Sequence, residues 1–259
     1  MADVIEQYRV AIENGDSEAM VHLGRMYNRG DGVEQNFEEA IRYYRMAVEK
    51  GNGDAMNNMA WMYDYGDGVE QNFEEAIRYY RMAVEKGNGD AMNNMGYMYL
   101  HGEGVDKNVE EGIKYYKMAT EKGNCDSMYN LGRVYQIGED VDKNFEEAIK
   151  YYKMALENGI DKHIVINNLE LIVIDINKLT MSEKIKYYKI LNQCEQTKEF
   201  AQKIVIRQET SDIVQMYDII EEMRNRLEEL ETHVRYMPDG CGYHEAKMDF
   251  ETLQQRYFF

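Results

Sequence analysis

A 36-residue unit repeats along most of this chain, and it limits the fold more than any other feature. Residues 30–59 and 66–95 are identical in every letter, as expected of a recent duplication. A fixed period of this length is typical of solenoids, in which each unit stacks on its neighbours. The four copies span residues 15–50, 51–86, 87–122 and 123–158.

Each unit is predicted to contain two helices. In the second copy, apolar or small residues recur at helical spacing over residues 54–65, which predicts an amphipathic helix that we name helix A. The Gly-Asp-Gly sequence at 66–68 should end it. Asn72 is the expected N-cap of a second helix, helix B, with Glu75 completing a capping box and Gly87 ending the helix. The unit is therefore predicted to be a helical hairpin.

Such a hairpin cannot bury its apolar face alone, so the repeats are expected to share a core. One helix-A position is always small, and we expect a neighbouring helix to approach it closely, since glycine there weakens a helix by up to ~1 kcal/mol. The methionines of helix A should fill core gaps. Of each helix-B tyrosine pair, such as Tyr79 and Tyr80, one should be buried and one half-exposed. The small position holds Gly24, Ala60, Gly96 and Gly132, and one methionine column holds Met20, Met56, Met92 and Met128.

A longer signature recurs in every copy, A-x-x-x-L/M-G/A-x-x-Y-x-x-G-x-G-V followed by A-x-x-Y-Y-x-x-A and a closing glycine. It resembles the Sel1-like repeat, a relative of the tetratricopeptide repeat, over residues 15–158. Two positions depart from it, since Asp140 stands where Gly68 does and Gly112 replaces a helix-B alanine. The resemblance implies an all-α, right-handed solenoid whose A helices line the inner, concave surface.

The chain extends beyond the four copies on both sides. Residues 1–14 align with helix B alone and predict a half-repeat that caps the first full copy. Residues 159–193 form a drifted fifth repeat. Its helix A, around 163–177, is rich in β-branched residues, but we predict a helix because a strand there would have no partner. The solenoid is therefore expected to span residues 1–193.

Residues 194–259 follow a different pattern. Apolar residues alternate spacings of three and four, which is typical of a coiled-coil seam, and Pro238 then begins a turn that leads into a second apolar helix. A C-terminal helical hairpin is predicted. Its seam supports a parallel homodimer through residues 206–237 or a cap on the last repeat, and the cap, with a monomeric chain, is the favoured interpretation. The seam residues are Ile213, Met216, Ile220, Met223, Leu227, Leu230 and Val234.

A short run near the end carries a second resemblance. Residues 236–250, Tyr-Met-Pro-x-Gly-x-Gly-Tyr-x-Glu-Ala-Lys-x-Asp-Phe, are similar to C-terminal segments of repeat proteins from giant DNA viruses. The similarity implies an alternative function, a structural or assembly component of a virus particle that acts through its C-terminal coiled coil.

Three helix-A positions differ between copies whose other letters hardly change. The variation predicts a surface that meets something other than the next repeat, and tryptophan, tyrosine and arginine are residue types that anchor interfaces. Drift on a solvated face explains the same variation, so both alternatives stay open. Column one is Arg25, Trp61, Tyr97 and Arg133, column two is Asn28, Asp64, Leu100 and Gln136, and column three is Arg29, Tyr65, His101 and Ile137.

Composition limits the partners and the compartment. The formal net charge of -18 argues against binding to nucleic acid or an anionic membrane and favours a basic protein or peptide. Three unevenly spaced cysteines make no disulfide framework, which fits a reducing compartment. The N-terminal residues lack the apolar run of a signal peptide, and a cytoplasmic protein is expected.

Chemistry is not expected of this chain. Its five histidines are scattered, and the one Cys-x-x-His pair, Cys241 and His244, supplies two ligands where a structural zinc site needs four. We predict no catalytic, cofactor or metal site. The predicted function is that of a non-enzymatic scaffold or adaptor, which binds a protein or peptide on the concave helix-A surface.

Overall fold

The computed structural model describes residues 2–138, 140–176 and 178–192, all within one structural unit of the chain. Every regular element among these residues is an α-helix, so this part of the chain has the predicted all-α fold. The eleven helices of the described residues are α1 (Ala2–Glu13), α2 (Ser17–Arg29), α3 (Phe37–Glu49), α4 (Gly53–Tyr65), α5 (Phe73–Glu85), α6 (Gly89–His101), α7 (Val109–Glu121), α8 (Cys125–Ile137), α9 (Phe145–Glu157), α10 (Lys162–Ile176) and α11 (Met181–Asn192).

The helices pair as the repeat predicts. Helices A are α2, α4, α6 and α8, helices B are α3, α5, α7 and α9, and all eight have 13 residues. Each helix A packs against helix B of its own repeat, and that helix B packs against the next helix A. The drifted stretch is helical in α10 and α11, as the sequence predicts. The described hairpins therefore form a continuous solenoid.

Asparagine caps explain where the B helices begin. The side-chain oxygen of Asn72 accepts a hydrogen bond from the backbone N–H of Glu75 at 3.1 Å, and the other B helices begin on an asparagine in the same way. The other half of the predicted capping box does not form. The N–H of Asn72 donates to the Tyr63 carbonyl at 2.8 Å, while the Glu75 carboxylate accepts from Arg78 at 2.7 Å. The glutamate thus pairs along its own helix.

The turn after helix A lies against the preceding repeat. A Cβ atom added to Gly68 would lie 2.3 Å from the Cβ atom of Phe37, so only glycine fits there. The fourth repeat has Asp140 at this position, and its carboxylate forms an ion pair of 2.9 Å with Lys107 of the preceding repeat. This departure from the signature therefore adds a link between repeats.

The small helix-A position lies against a tyrosine of helix B in the same repeat. A Cβ atom added to Gly24 would come within 2.5 Å of the Tyr44 ring, and one added to Gly96 within 2.6 Å of the Tyr116 ring. The predicted close approach of a neighbouring helix is confirmed. The ring leaves little space at this position, so only glycine or, in the second repeat, alanine occurs there.

The tyrosine pairs follow the prediction in part. Tyr80 is 0% exposed and Tyr79 is half-buried, as expected, but Tyr43 and Tyr151 are buried although each is the first of its pair. Tyr79 stacks on Tyr63 of helix A, with ring centroids 5.8 Å apart. The same stack recurs in the other three repeats, so both tyrosines of each pair are structural.

The core continues from repeat to repeat. One cluster of buried residues contains Met56 and Tyr80 of the second repeat together with Met95 and Met98 of the third. The predicted methionine column is buried at every position, which confirms that it belongs to the core. The shared core explains how hairpins that cannot fold singly are stabilised.

Polar links also join successive repeats. The side chain of Asn88 caps α6 by accepting from the N–H of Ala91 at 2.8 Å, and its amide nitrogen donates to Asp54 of the preceding repeat at 2.7 Å. We name this series of caps the N-cap ladder. Each of its asparagines both starts a helix A and binds the repeat before it. The other members are Asn52 with Glu18 at 2.8 Å and Asn124 with Asp90 at 2.7 Å.

Candidate interaction surface

Columns one and three lie on one exposed side of helices A. Residues four apart share a helix side, and Trp61 is 41% and Tyr65 is 58% exposed. Large exposed side chains that adjoin one another mark interaction surfaces more often than single exposed residues do. The remaining exposed members are Tyr97, Ile137, Arg29, His101 and Arg133, while Arg25 is half-buried.

Aromatic side chains of two successive repeats form the centre of this surface. The rings of Trp61 and Tyr65 stack with centroids 4.2 Å apart and an interplanar angle of 25°. Tyr97 and His101 lie 4.2 Å apart at 45°. Tyr65 and Tyr97 belong to successive helices A, and each is exposed. We name these four residues the aromatic patch.

Column two has a different role from the other two columns. Asp64 accepts a hydrogen bond from the Tyr80 hydroxyl at 3.2 Å, and Gln136 accepts one from Tyr152. These residues therefore face helix B of their own repeat. Gln136 is 9% exposed, which corrects the prediction that it faces a partner. The equivalent oxygen of Asn28 is buried without a hydrogen-bond partner.

The apolar member of column two accounts for a second departure from the signature. Leu100 packs in a cluster with Tyr116, and a Cβ atom added to Gly112 would lie 2.4 Å from its Cδ1 atom. The other repeats combine alanine at that helix-B position with a polar column-two residue. The third repeat thus exchanges both residues together, because the larger leucine needs the space of the missing methyl group.

Negative charge surrounds the aromatic patch. Burial and the charge of Asp64 raise the pKa of Tyr65, and burial and the charge of Glu103 raise the pKa of Tyr97. Burial raises the pKa of Asp64 itself, although the hydrogen bond from Tyr80 opposes the shift. At neutral pH the two tyrosines are therefore neutral donors beside carboxylates.

The arginines of column one lie on either side of the patch. Arg25 forms an ion pair of 3.2 Å with Asp54 of the next repeat. The charge of Arg133 acts to lower the pKa of Tyr97, whereas burial and the charge of Glu103 raise it. Arg25 is less able to bind a further anion, since it already has a carboxylate partner.

Glu103 belongs to this surface and was missed by the sequence analysis. It follows α6 in the Gly-Glu-Gly turn, which the sequence predicts only as a helix end. Its charge acts on Tyr97, Tyr65 and Asp64. A signal was present, because the middle residue of this turn is acidic in every repeat.

The predicted C-terminal site lies outside the described residues. This applies to the seam from Ile213 to Val234, to the Cys241–His244 pair and to residues 236–250. Among the residues that are described, no group of three or more histidine, cysteine, aspartate or glutamate side chains could hold a metal ion. In the same part of the chain, none of the helices combines the length and apolar character needed to cross a bilayer.

The fold defines the class of protein, since the described part is an α-solenoid of stacked helical hairpins. The family model of the Sel1 repeat matches the sequence of this chain in four consecutive units, residues 17–52, 53–88, 89–124 and 125–160. This protein belongs to the Sel1 repeat family. Sel1 repeat proteins generally act as scaffolds for protein–protein interaction.

Solved structures with a similar fold include a protective antigen present in uropathogenic Escherichia coli strains and a Sel1 repeat protein from Oxalobacter formigenes. The antigen is 30% identical, has a TM-score of 0.59 and is matched over 75% of this chain, which spans 40% of the antigen's length. The Oxalobacter protein is 26% identical, with a TM-score of 0.58, and the match covers 72% of this chain and 82% of that protein. Comparison with curated proteins found no match.

Proposed function

We propose that this protein is a scaffold or adaptor without enzymatic activity of its own, and that it binds a protein or peptide partner on the exposed side of helices A. The aromatic patch carries the proposal. Trp61 and Tyr97 are 41% and 44% exposed, whereas the paired tyrosines of helix B are buried or half-buried against the core. Large aromatic side chains of this kind contribute most of the binding energy at many interfaces.

The charge of the chain supports a protein partner. A net charge of -18 repels the phosphates of nucleic acids and anionic lipids and attracts basic surfaces. The reducing, cytoplasmic setting predicted from cysteine usage belongs to the same proposal. An assembly role in a virus particle, acting through residues 206–237, stays a prediction from the sequence.

Affinity capture from cell extract, read out by mass spectrometry, tests the proposal. The full chain is compared with the double variant Trp61→Ala/Tyr97→Ala and with a matched control, Leu171→Ala/Ile174→Ala, in which two exposed apolar residues of α10 are truncated instead. We expect a specific partner to be captured by the full chain and by the control but lost from the patch variant. Capture of the same proteins by all three, with unchanged circular dichroism, would refute the proposal.

A further inference from the structure

The groups around the aromatic patch indicate what the partner presents to it. Tyr65 is the last residue of α4, His101 is the last residue of α6, and Glu103 follows two residues later. Asp64 adjoins Tyr65 in the chain and is held by the Tyr80 hydroxyl at 3.2 Å. The two carboxylates and the Tyr65 ring thus lie at or just beyond the C-terminal ends of two successive helices A.

We infer that this cluster, Trp61, Tyr65, Tyr97 and Glu103, receives the side chain of an arginine from a basic segment of the protein partner, and that the half-buried Asp64 contributes its charge without contacting the partner. The inference rests on the proposed function and deepens it, because it names the chemistry of the contact. The face of an aromatic ring attracts a cation, and Arg is the cation most often found there. A carboxylate beside the ring adds a charge-assisted hydrogen bond.

The chain itself contains the complete arrangement elsewhere. The Arg78 guanidinium lies 4.3 Å from the centroid of the Tyr79 ring and donates to the Glu75 carboxylate at 2.7 Å. The first repeat has the same arrangement on its own helix B. The proposed cluster offers two of these three members, a tyrosine ring and the Glu103 carboxylate. The missing member is the guanidinium.

The carboxylate of Glu103 can make such a contact. Among the described residues, neither Asp64 nor Glu103 forms an ion pair. The two charges also act unfavourably on each other, and the charge of Glu103 adds to the effect of burial in raising the pKa of Asp64. A cation bound beside Glu103 would offset this repulsion.

The neighbouring arginines define where the cation enters. Arg25 is occupied by Asp54 at 3.2 Å, and Arg133 lies on the fourth-repeat side, where its charge acts on Tyr97. The carboxylates that act on Tyr65 are those of Asp64 and Glu103. Arg133 is in the fourth repeat and Tyr65 in the second, so repulsion from Arg133 favours entry of the partner's arginine beside Tyr65 rather than beside Tyr97.

Trp61 provides a direct measurement, because it is the single tryptophan of the chain and lies in the cluster. Its fluorescence is followed while the full chain is titrated, at constant ionic strength, with the acetylated and amidated peptide Gly-Ser-Arg-Ser-Gly. The same peptide with citrulline in place of arginine keeps the shape and removes the charge. The Glu103→Gln variant tests the carboxylate, and Asp31→Asn, at the same turn position two repeats earlier, is the matched control.

We expect a saturable change with the arginine peptide, an apparent Kd at least threefold weaker for Glu103→Gln, and no change for Asp31→Asn. An equal response to the citrulline peptide, no response to either peptide, or an unaltered Kd in Glu103→Gln would overturn the inference. The result of this peptide titration can be distinguished from the result of the partner-capture experiment. A partner lost on Trp61→Ala/Tyr97→Ala would stand without any arginine preference, whereas peptide binding combined with unchanged partner capture would refute the proposed function alone.

Discussion

Asn94 donates a hydrogen bond from its side-chain amide to the side-chain oxygen of Asn57, 3.2 Å away in the preceding repeat. The equivalent bond links the third and fourth repeats at 3.0 Å. Asn58 occupies the position of Asn94 one repeat earlier, but the residue at the position of Asn57 in the first repeat is Val21. Valine has no acceptor, and the amide nitrogen of Asn58 is buried without a partner. Asn94 and Asn58 thus occupy equivalent positions, but only Asn94 donates a hydrogen bond to the preceding repeat.

This difference predicts that the same substitution, asparagine to alanine, lowers stability at Asn94 more than at Asn58. Asn94→Ala removes a hydrogen bond and leaves the buried oxygen of Asn57 unpaired, so it should lower the free energy of unfolding by about 1–2 kcal/mol. Asn58→Ala removes an amide that is already unpaired and should change stability by less than about 0.5 kcal/mol. Urea unfolding followed by circular dichroism compares the two variants. Equal losses would show that the interrepeat bond contributes nothing.

The N-cap ladder predicts a similar contrast between two caps. Asn72→Ala loses a helix cap and should destabilise the chain by about 1 kcal/mol. Asn88→Ala also loses a cap in which the side-chain oxygen accepts from the N–H of the third helix residue and, in addition, the bond to Asp54 at 2.7 Å. A hydrogen bond to a charged group contributes more than one between neutral groups, so the loss should be larger by about 1 kcal/mol. The same urea titration measures both, and a smaller loss for Asn88→Ala would contradict the ladder.

Asp64 predicts a pH dependence of stability. Its pKa is raised above 3.8, first by burial, so the folded chain holds this proton more tightly than the unfolded chain. The stabilising contribution is therefore present below the unfolded pKa and is lost as the pH rises through the folded pKa. Asn at this position does not titrate. The free energy of unfolding of Asp64→Asn should thus increase relative to that of the unmodified chain between about pH 4 and pH 7.

Unfolding midpoints at several pH values in this range give the difference directly. Asp31→Asn, which changes an exposed aspartate, controls for the general effect of removing one negative charge from an acidic protein. A difference between Asp64→Asn and the unmodified chain that is constant with pH would show that Asp64 titrates alike in the folded and unfolded states.

At Gly112 we predict that substitution by alanine has the opposite effect on stability from the usual one in a helix. Glycine to alanine in a helix interior normally stabilises by up to about 1 kcal/mol. Here the new methyl group would lie 2.4 Å from the Leu100 side chain, so Gly112→Ala should destabilise by about 1–3 kcal/mol. Adding Leu100→Gln reproduces the pairing of Gln136 with Ala148 and should recover at least half of the loss. Thermal unfolding of Gly112→Ala and of the double variant with Leu100→Gln measures both losses. Additive losses would show that residues 100 and 112 are not coupled.

Much of the fold could be predicted because its signals are local. Asn72 caps helix B through an amide three residues away, and Gly66 ends helix A with a φ of 78° that few other residues adopt. Such contacts depend only on the chain near them. The repeat then carries each local prediction to every copy, which is why the helix limits agree so closely with the sequence.

The site could be predicted only in part, because its contacts depend on how two helices rotate about their axes. Asp64 and Tyr80 are 16 residues apart in one hairpin, and sequence variation alone does not show that column two turns inward. Columns one and three were correctly placed on helix A, but the contribution of Glu103 depends on a turn that brings it beside Tyr97. No spacing rule within one helix contains that information.

The duplicated block 66–95 crosses a repeat boundary. It contains α5 and the first half of α6, with one donor and one acceptor of the N-cap ladder, Asn88 and Asp90. A copying event of this kind adds a junction whose ladder residues are already present, although Asn58 at the edge of the other copy, 30–59, meets Val21 and has no partner. Elongation of the molecule by whole units therefore requires no accompanying adaptive substitutions, and the span available to a bound partner can evolve independently of the chemistry that holds it.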